Sequence, residues 1–130
     1  MRSLKKLGQL LAVGACVVTV LAISADPASA RPKYKTEFGK LYPELVEKLG
    51  KAKVGCGVCH PNDPVKKKKA RNNYGLAVKK NLKKPNEGDA AAIKKALEEA
   101  AKGKSHVDGM TFGDLIKAGK LPGDDKTAAE

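Results

Sequence analysis

The chain has 130 residues, 26 basic against 14 acidic side chains, a formal net charge of +12 and only 4% aromatic residues. That length holds one domain, and a core so poor in large side chains is marginal for it. Nucleic-acid binding would call for aromatics interleaved with the basic residues, and Tyr34, Phe38, Tyr42, Tyr74 and Phe112 are not so placed.

The first thirty residues read as an export signal. Arg2, Lys5 and Lys6 make a short basic start, and an apolar run follows from about Leu10 to Ile23. Ala28-Ser29-Ala30 then supplies a small-x-small cleavage site. The run is short for a membrane span and breaks at Asp26-Pro27. Val13-Gly14-Ala15-Cys16 offers a lipoprotein cleavage box as an alternative, but the apolar run continues past Cys16, which favours cleavage after Ala30. Cleavage there removes three of the 26 basic residues and one of the 14 acidic ones, and leaves 100 residues carrying about +10. Cys56 and Cys59 are then the only cysteines of the domain at 31–130.

Residues 31 to 35 read as a loose basic start. From Thr36, a possible N-cap, the spacing of Phe38, Leu41, Leu45 and Leu49 predicts a helix, kinked or restarted at Pro43 and stopped by Gly50.

Cys56-Gly57-Val58-Cys59-His60 comes next. Two thiols three residues apart, with an imidazole beside the second, form the attachment motif of a c-type haem. Each sulfur can add to one haem vinyl group to form a thioether. The two-residue gap turns both sulfurs toward one edge of the ring, and His60 then lies under it as an iron ligand. Two other readings compete: a redox disulfide and a structural zinc site. Zinc usually takes four protein ligands, and downstream the sequence offers only His106. A thioredoxin-like pair would sit between a strand and a helix, and no strand pattern occurs nearby.

Pro61-Asn62-Asp63-Pro64 predicts a turn, and a second helix is expected from Lys66 to about Leu82 with Tyr74, Ala77, Val78 and Leu82 on its apolar face. Lys66-Lys67-Lys68-Lys69 is either a solvated face or, beside a haem edge, a patch that speeds encounter with an anionic partner. After a linker at 83–88, Asp89 caps a third helix over Ala90 to Lys102. Thr111 with Asp114 marks a capped fourth helix, ended by Gly119 and Pro122, and residues 123–130 read as a frayed polar tail. The fold class is therefore all-α, with about four short helices around one covalently bound haem.

The motif resembles that of the c-type cytochromes. Asn73-Tyr74-Gly75 extends the likeness, since many bacterial haem domains carry an Asn-x-aromatic-Gly element shortly after Cys-x-x-Cys-His. The 31–130 segment, including Thr111-Phe112-Gly113-Asp114-Leu115-Ile116, looks like small secreted single-haem proteins. The resemblance implies a cytochrome c-like fold, thioethers at Cys56 and Cys59, His60 as proximal iron ligand, and electron transfer. It departs on the distal side. The usual distal methionine lies in a loop rich in Gly and Pro, whereas Met110 sits in His106-Val107-Asp108-Gly109-Met110. Met110 is the preferred distal candidate and His106 the second; a lysine, water or an open position remains. Met110 also stands where it could form a hydrophobic staple with Leu115.

The sequence thus predicts a periplasmic or secreted one-electron carrier with one haem c and no enzymatic residue set. Its expected partner is an acidic redox protein or an anionic envelope surface, with no nucleic acid and no transmembrane segment in the processed chain. The alternatives are a haem module with an open distal site that binds or senses a small ligand, and a thiol-disulfide oxidoreductase using Cys56 and Cys59.

Overall fold

The computed structural model describes residues 30–62 and 69–129. The predicted export segment, save Ala30, lies outside the described residues, as do Asp63, Pro64 and the first three lysines of the basic run. Among the described residues five α-helices follow in order: α1 (Ala30–Leu41), α2 (Pro43–Leu49), α3 (Asn73–Asn81), α4 (Ala90–Ala101) and α5 (Phe112–Lys117). Among the described residues there is no strand, only an isolated bridge between Lys104 and Thr111. The chain is all-α, as expected. No helix among the described residues is long and apolar enough to cross a membrane.

The first predicted helix is two helices. Pro43 has no N–H to continue α1, and it sits instead in the first turn of α2, where that N–H is not needed. Gly50 ends α2 with a φ of 82°, in the left-handed region that favours glycine. At its other end α1 begins well before Thr36. The Thr36 hydroxyl donates back to the Pro32 carbonyl, 3.0 Å away, so this residue is inside the helix and caps nothing. Tertiary contacts hold the extra turn: Lys33 Nζ donates to the Gly88 carbonyl at 2.9 Å, and Tyr34 packs against the core.

The α4 helix is the centre of the molecule. Ile93, Ala96, Leu97 and Ala100 recur at helical spacing and are all buried, with α1 and α3 packed against them and α5 at the far end. Asp89 caps this helix through the Ala92 N–H at 2.7 Å, as predicted. Tyr74 of α3 is fully buried against α4 and donates its hydroxyl to the Leu97 carbonyl at 3.3 Å. Its ring meets Phe112 edge-on at 5.2 Å and Phe38 at 6.1 Å between centroids. Tyr42 meets Phe38 at 4.9 Å, so four of the five aromatics are spent on one cluster that ties α1, α3, α4 and α5 together.

The α5 cap is complete. The Asp114 N–H donates to Thr111 Oγ1 at 3.1 Å, and the Thr111 N–H donates to the Asp114 carboxylate at 2.9 Å. Beyond it the chain runs back toward α3. Pro122 is fully buried, the Asp124 N–H donates to Asn73 Oδ1 at 3.2 Å, and the Ala128 N–H donates to the Arg71 carbonyl at 2.8 Å. The segment read as a frayed tail carries these contacts because it closes over the start of α3.

Candidate functional site

The Cys-x-x-Cys-His segment is folded by local hydrogen bonds. Cys56–Val58 forms a single 3-10 turn, in which the Cys59 N–H and the His60 N–H both donate to the Cys56 carbonyl, at 3.2 and 2.9 Å. Asn72 then holds the turn from outside. Its main-chain N–H donates to the Cys59 carbonyl at 3.0 Å, and its side-chain amide donates to the Val58 carbonyl at 3.2 Å. The same side chain accepts from the Gly75 N–H at 2.8 Å and so caps α3. One buried asparagine therefore both starts a helix and fixes the motif.

Asn72 also sets where α3 begins. The predicted start at Lys66 is too early, since Asn72 is extended, with φ −81° and ψ 179°, and spends its side chain on the cap. Gly75 is the second fixing point. A Cβ added there would lie 2.1 Å from the Cys59 carbonyl oxygen, so only glycine lets α3 lie directly on the motif backbone. At this glycine the helix meets the backbone of the motif itself.

His60 is oriented by the segment that precedes Asn72. Its Nδ1 lies 2.6 Å from the Ala70 carbonyl oxygen. A carbonyl can only accept, so Nδ1 carries the proton and Nε2 of the neutral ring keeps the lone pair. This is the arrangement of a metal-binding histidine, whose other nitrogen is usually held by a carbonyl or carboxylate.

Cys56, Cys59 and His60 line one cavity of about 410 Å³. Its apolar walls come from Phe38, Val54, Val58, Val78, Leu82 and Leu97, and its polar lining includes Lys35, Arg71, Lys79, Lys83 and Lys84. Among the described residues no carboxylate lines it. Cys56 is exposed and Cys59 half-buried, and both thiols are free. Burial pushes the Cys59 thiol up to about 12, the opposite of the lowered value that activates a redox cysteine. Burial also raises the Tyr34 hydroxyl at the cavity wall, partly offset by its hydrogen bond to the Glu87 main chain.

Met110 and His106 are not among the residues that line this cavity. His106 Nδ1 lies 3.5 Å from Asn73 Nδ2, beside the first turn of α3. Met110 sits half-buried between its own turn and the Thr111 cap. A larger and more open hollow of about 770 Å³ lies between the α1–α2 corner and α5, floored by Leu41, Tyr42, Pro43 and Ile116. None of Cys56, Cys59, His60, His106 and Met110 lines it.

No family model matches this chain, and no curated protein or solved structure matches it either. The functional reading rests on the residues described above.

Sequence reasoning found the two thiols and the imidazole but missed Asn72 and Ala70. A signal for Asn72 was present, because an asparagine two or three residues before a buried apolar run is an N-cap pattern. Ala70 acts through its carbonyl, and no side-chain pattern could have pointed to it.

Proposed function

We propose that the protein is an exported monohaem c-type cytochrome and acts as a one-electron carrier. The observation that carries this reading is the shared cavity: both thiols of the motif and an imidazole with its Nε2 lone pair uncommitted open into one apolar-walled space. The lining fits a haem in three respects. Cys56 and Cys59 would hold it by thioethers, and His60 would bind the iron through Nε2. Phe38, Val54, Val58 and Leu97 would cover its apolar faces, and the volume lies in the range of cofactor pockets. Arg71 and the lysines would meet its carboxylates. A haem bound there supplies reversible ferric–ferrous chemistry. The chain's own part is to orient His60 through Ala70, to hold the motif rigid through Asn72 and Gly75, and to keep water from the apolar walls. An anionic redox protein or envelope surface suits the basic lining, and the signal at the N-terminus suits the periplasm or the exterior.

The test is the intact mass of the protein matured by cells that possess haem-attachment machinery. One haem should remain bound after denaturation and solvent extraction, and Cys56→Ser with Cys59→Ser should lose it. A haem-free product with an intramolecular disulfide would sink this reading in favour of a thiol-disulfide oxidoreductase.

A further inference from the structure

A haem iron held by His60 would have a second axial position, and the two side chains best suited to fill it, Met110 and His106, are not among the residues that line the cavity. The reason lies in how their loop is built. The Phe112 N–H donates to the Gly103 carbonyl at 3.0 Å, the Ser105 N–H donates to the Met110 carbonyl at 2.9 Å, and the Met110 N–H donates to the Val107 carbonyl at 3.1 Å. Lys104 pairs with Thr111 across the base. Ser105 adds side-chain bonds to Val107, whose N–H donates to Ser105 Oγ at 3.0 Å. The loop is thus closed on itself by main-chain bonds. One end runs into α4, and the other is fixed by Phe112, which is buried in the core, and by the Thr111–Asp114 cap. Bringing the Met110 sulfur into the cavity would require this loop to open and the start of α5 to shift.

We infer, resting on the haem reading above, that the second axial position is not supplied by the 103–111 loop and is open to a small neutral ligand of the carbon monoxide type. Apolar side chains such as Phe38, Val58 and Leu97 would line the space that such a ligand enters. Among the described lining residues the amines that could compete for the iron are Lys35, Lys79, Lys83 and Lys84.

The experiment uses the matured full-length protein, with attachment of one haem first established by mass. The ferrous protein is titrated with carbon monoxide and followed by absorption, for the wild type and for Met110→Leu, His106→Ala, Lys79→Met and Lys83→Met. The expected result is a saturable spectral change in the wild type, with affinity changed by less than about tenfold in Met110→Leu and His106→Ala. A ferrous wild type that is six-coordinate, low-spin and inert to carbon monoxide overturns the inference. Gain of binding in one variant then names the side chain that fills the position, whether sulfur, imidazole or amine. A product with no covalent haem instead overturns the reading beneath it.

Discussion

Gly75 and Asn72 are the residues through which the helical scaffold reaches the motif, and they make opposite kinds of contact. Asn72 acts by what it has, an amide that donates to the Val58 carbonyl and an oxygen that caps α3. Gly75 acts by what it lacks, since any Cβ would collide with the Cys59 carbonyl. This gives a test with a sign. In an ordinary helix interior Gly→Ala should stabilise by up to about 1 kcal/mol. Here overpacking should win, and Gly75→Ala should destabilise by about 1–3 kcal/mol in urea unfolding. A stabilised variant would mean that α3 is not seated on the motif. On the haem reading proposed above, the variant should also show less covalent haem by mass than the wild type under the same maturation.

At the scale of the element, the helices differ in how they are secured. The seven-residue α2 and six-residue α5 are too short to persist alone, so they depend on their ends. In α5 that end is the Thr111–Asp114 box, whose hydrogen bonds from Thr111 hold the Asp114 carboxyl below its ordinary value. The sign follows from linkage. A carboxyl lowered on folding stabilises the protein above its unfolded value, and that contribution is lost as pH falls through the folded value. The stability gap between wild type and Asp114→Asn should therefore be present at neutral pH and close under acid conditions, as read by urea unfolding across that range. Thr111→Ala should cost about 1 kcal/mol at neutral pH.

The same elements explain what the sequence made legible. Asp89, Thr111 and Asp114 announced their helices because caps are local chemistry, and α4 and α5 begin where expected. The apolar spacing of Phe38, Leu45, Tyr74 and Val78 named part of the core. The starts of α1 and α3 were misread because neither is decided locally. The first is extended by Lys33 and Tyr34 gripping the loop near Gly88, and the second is shortened because Asn72 and Ala70 are taken by the motif. The Met110 loop was legible in composition only, since whether it lies over a cavity depends on long-range packing.

For the whole molecule, charge and cavity coincide. Five basic side chains line the space that holds Cys56, Cys59 and His60, with no carboxylate among the described lining residues, and Lys69 adds exposed charge nearby in sequence. Such a field speeds encounter with an anionic partner and is screened beyond about 8 Å at physiological salt. If the chain carries electrons as proposed above, the bimolecular rate of electron exchange with an acidic redox protein as probe should fall as salt rises. Lys35→Glu with Lys83→Glu should lower that rate by about tenfold at low salt, as read by stopped-flow absorption. A rate indifferent to both would leave the basic side chains with no part in association.

The return of the chain onto Asn72 and Asn73 also carries a schedule. The Asp124–Asn73 bond joins residues 51 apart, and Gly123 lies so close to the Asn72 amide that no side chain would fit between them. During synthesis the Cys-x-x-Cys-His segment emerges long before the residues that finish burying its clamp. Until then Asn72 is open to water on that side and its grip on the turn is incomplete. The chain therefore passes through an interval in which the two thiols are out but not yet locked in place. On the haem reading, an attachment enzyme that must handle a pliable peptide would find its substrate in that interval, and the last stretch of the chain brings the interval to a close.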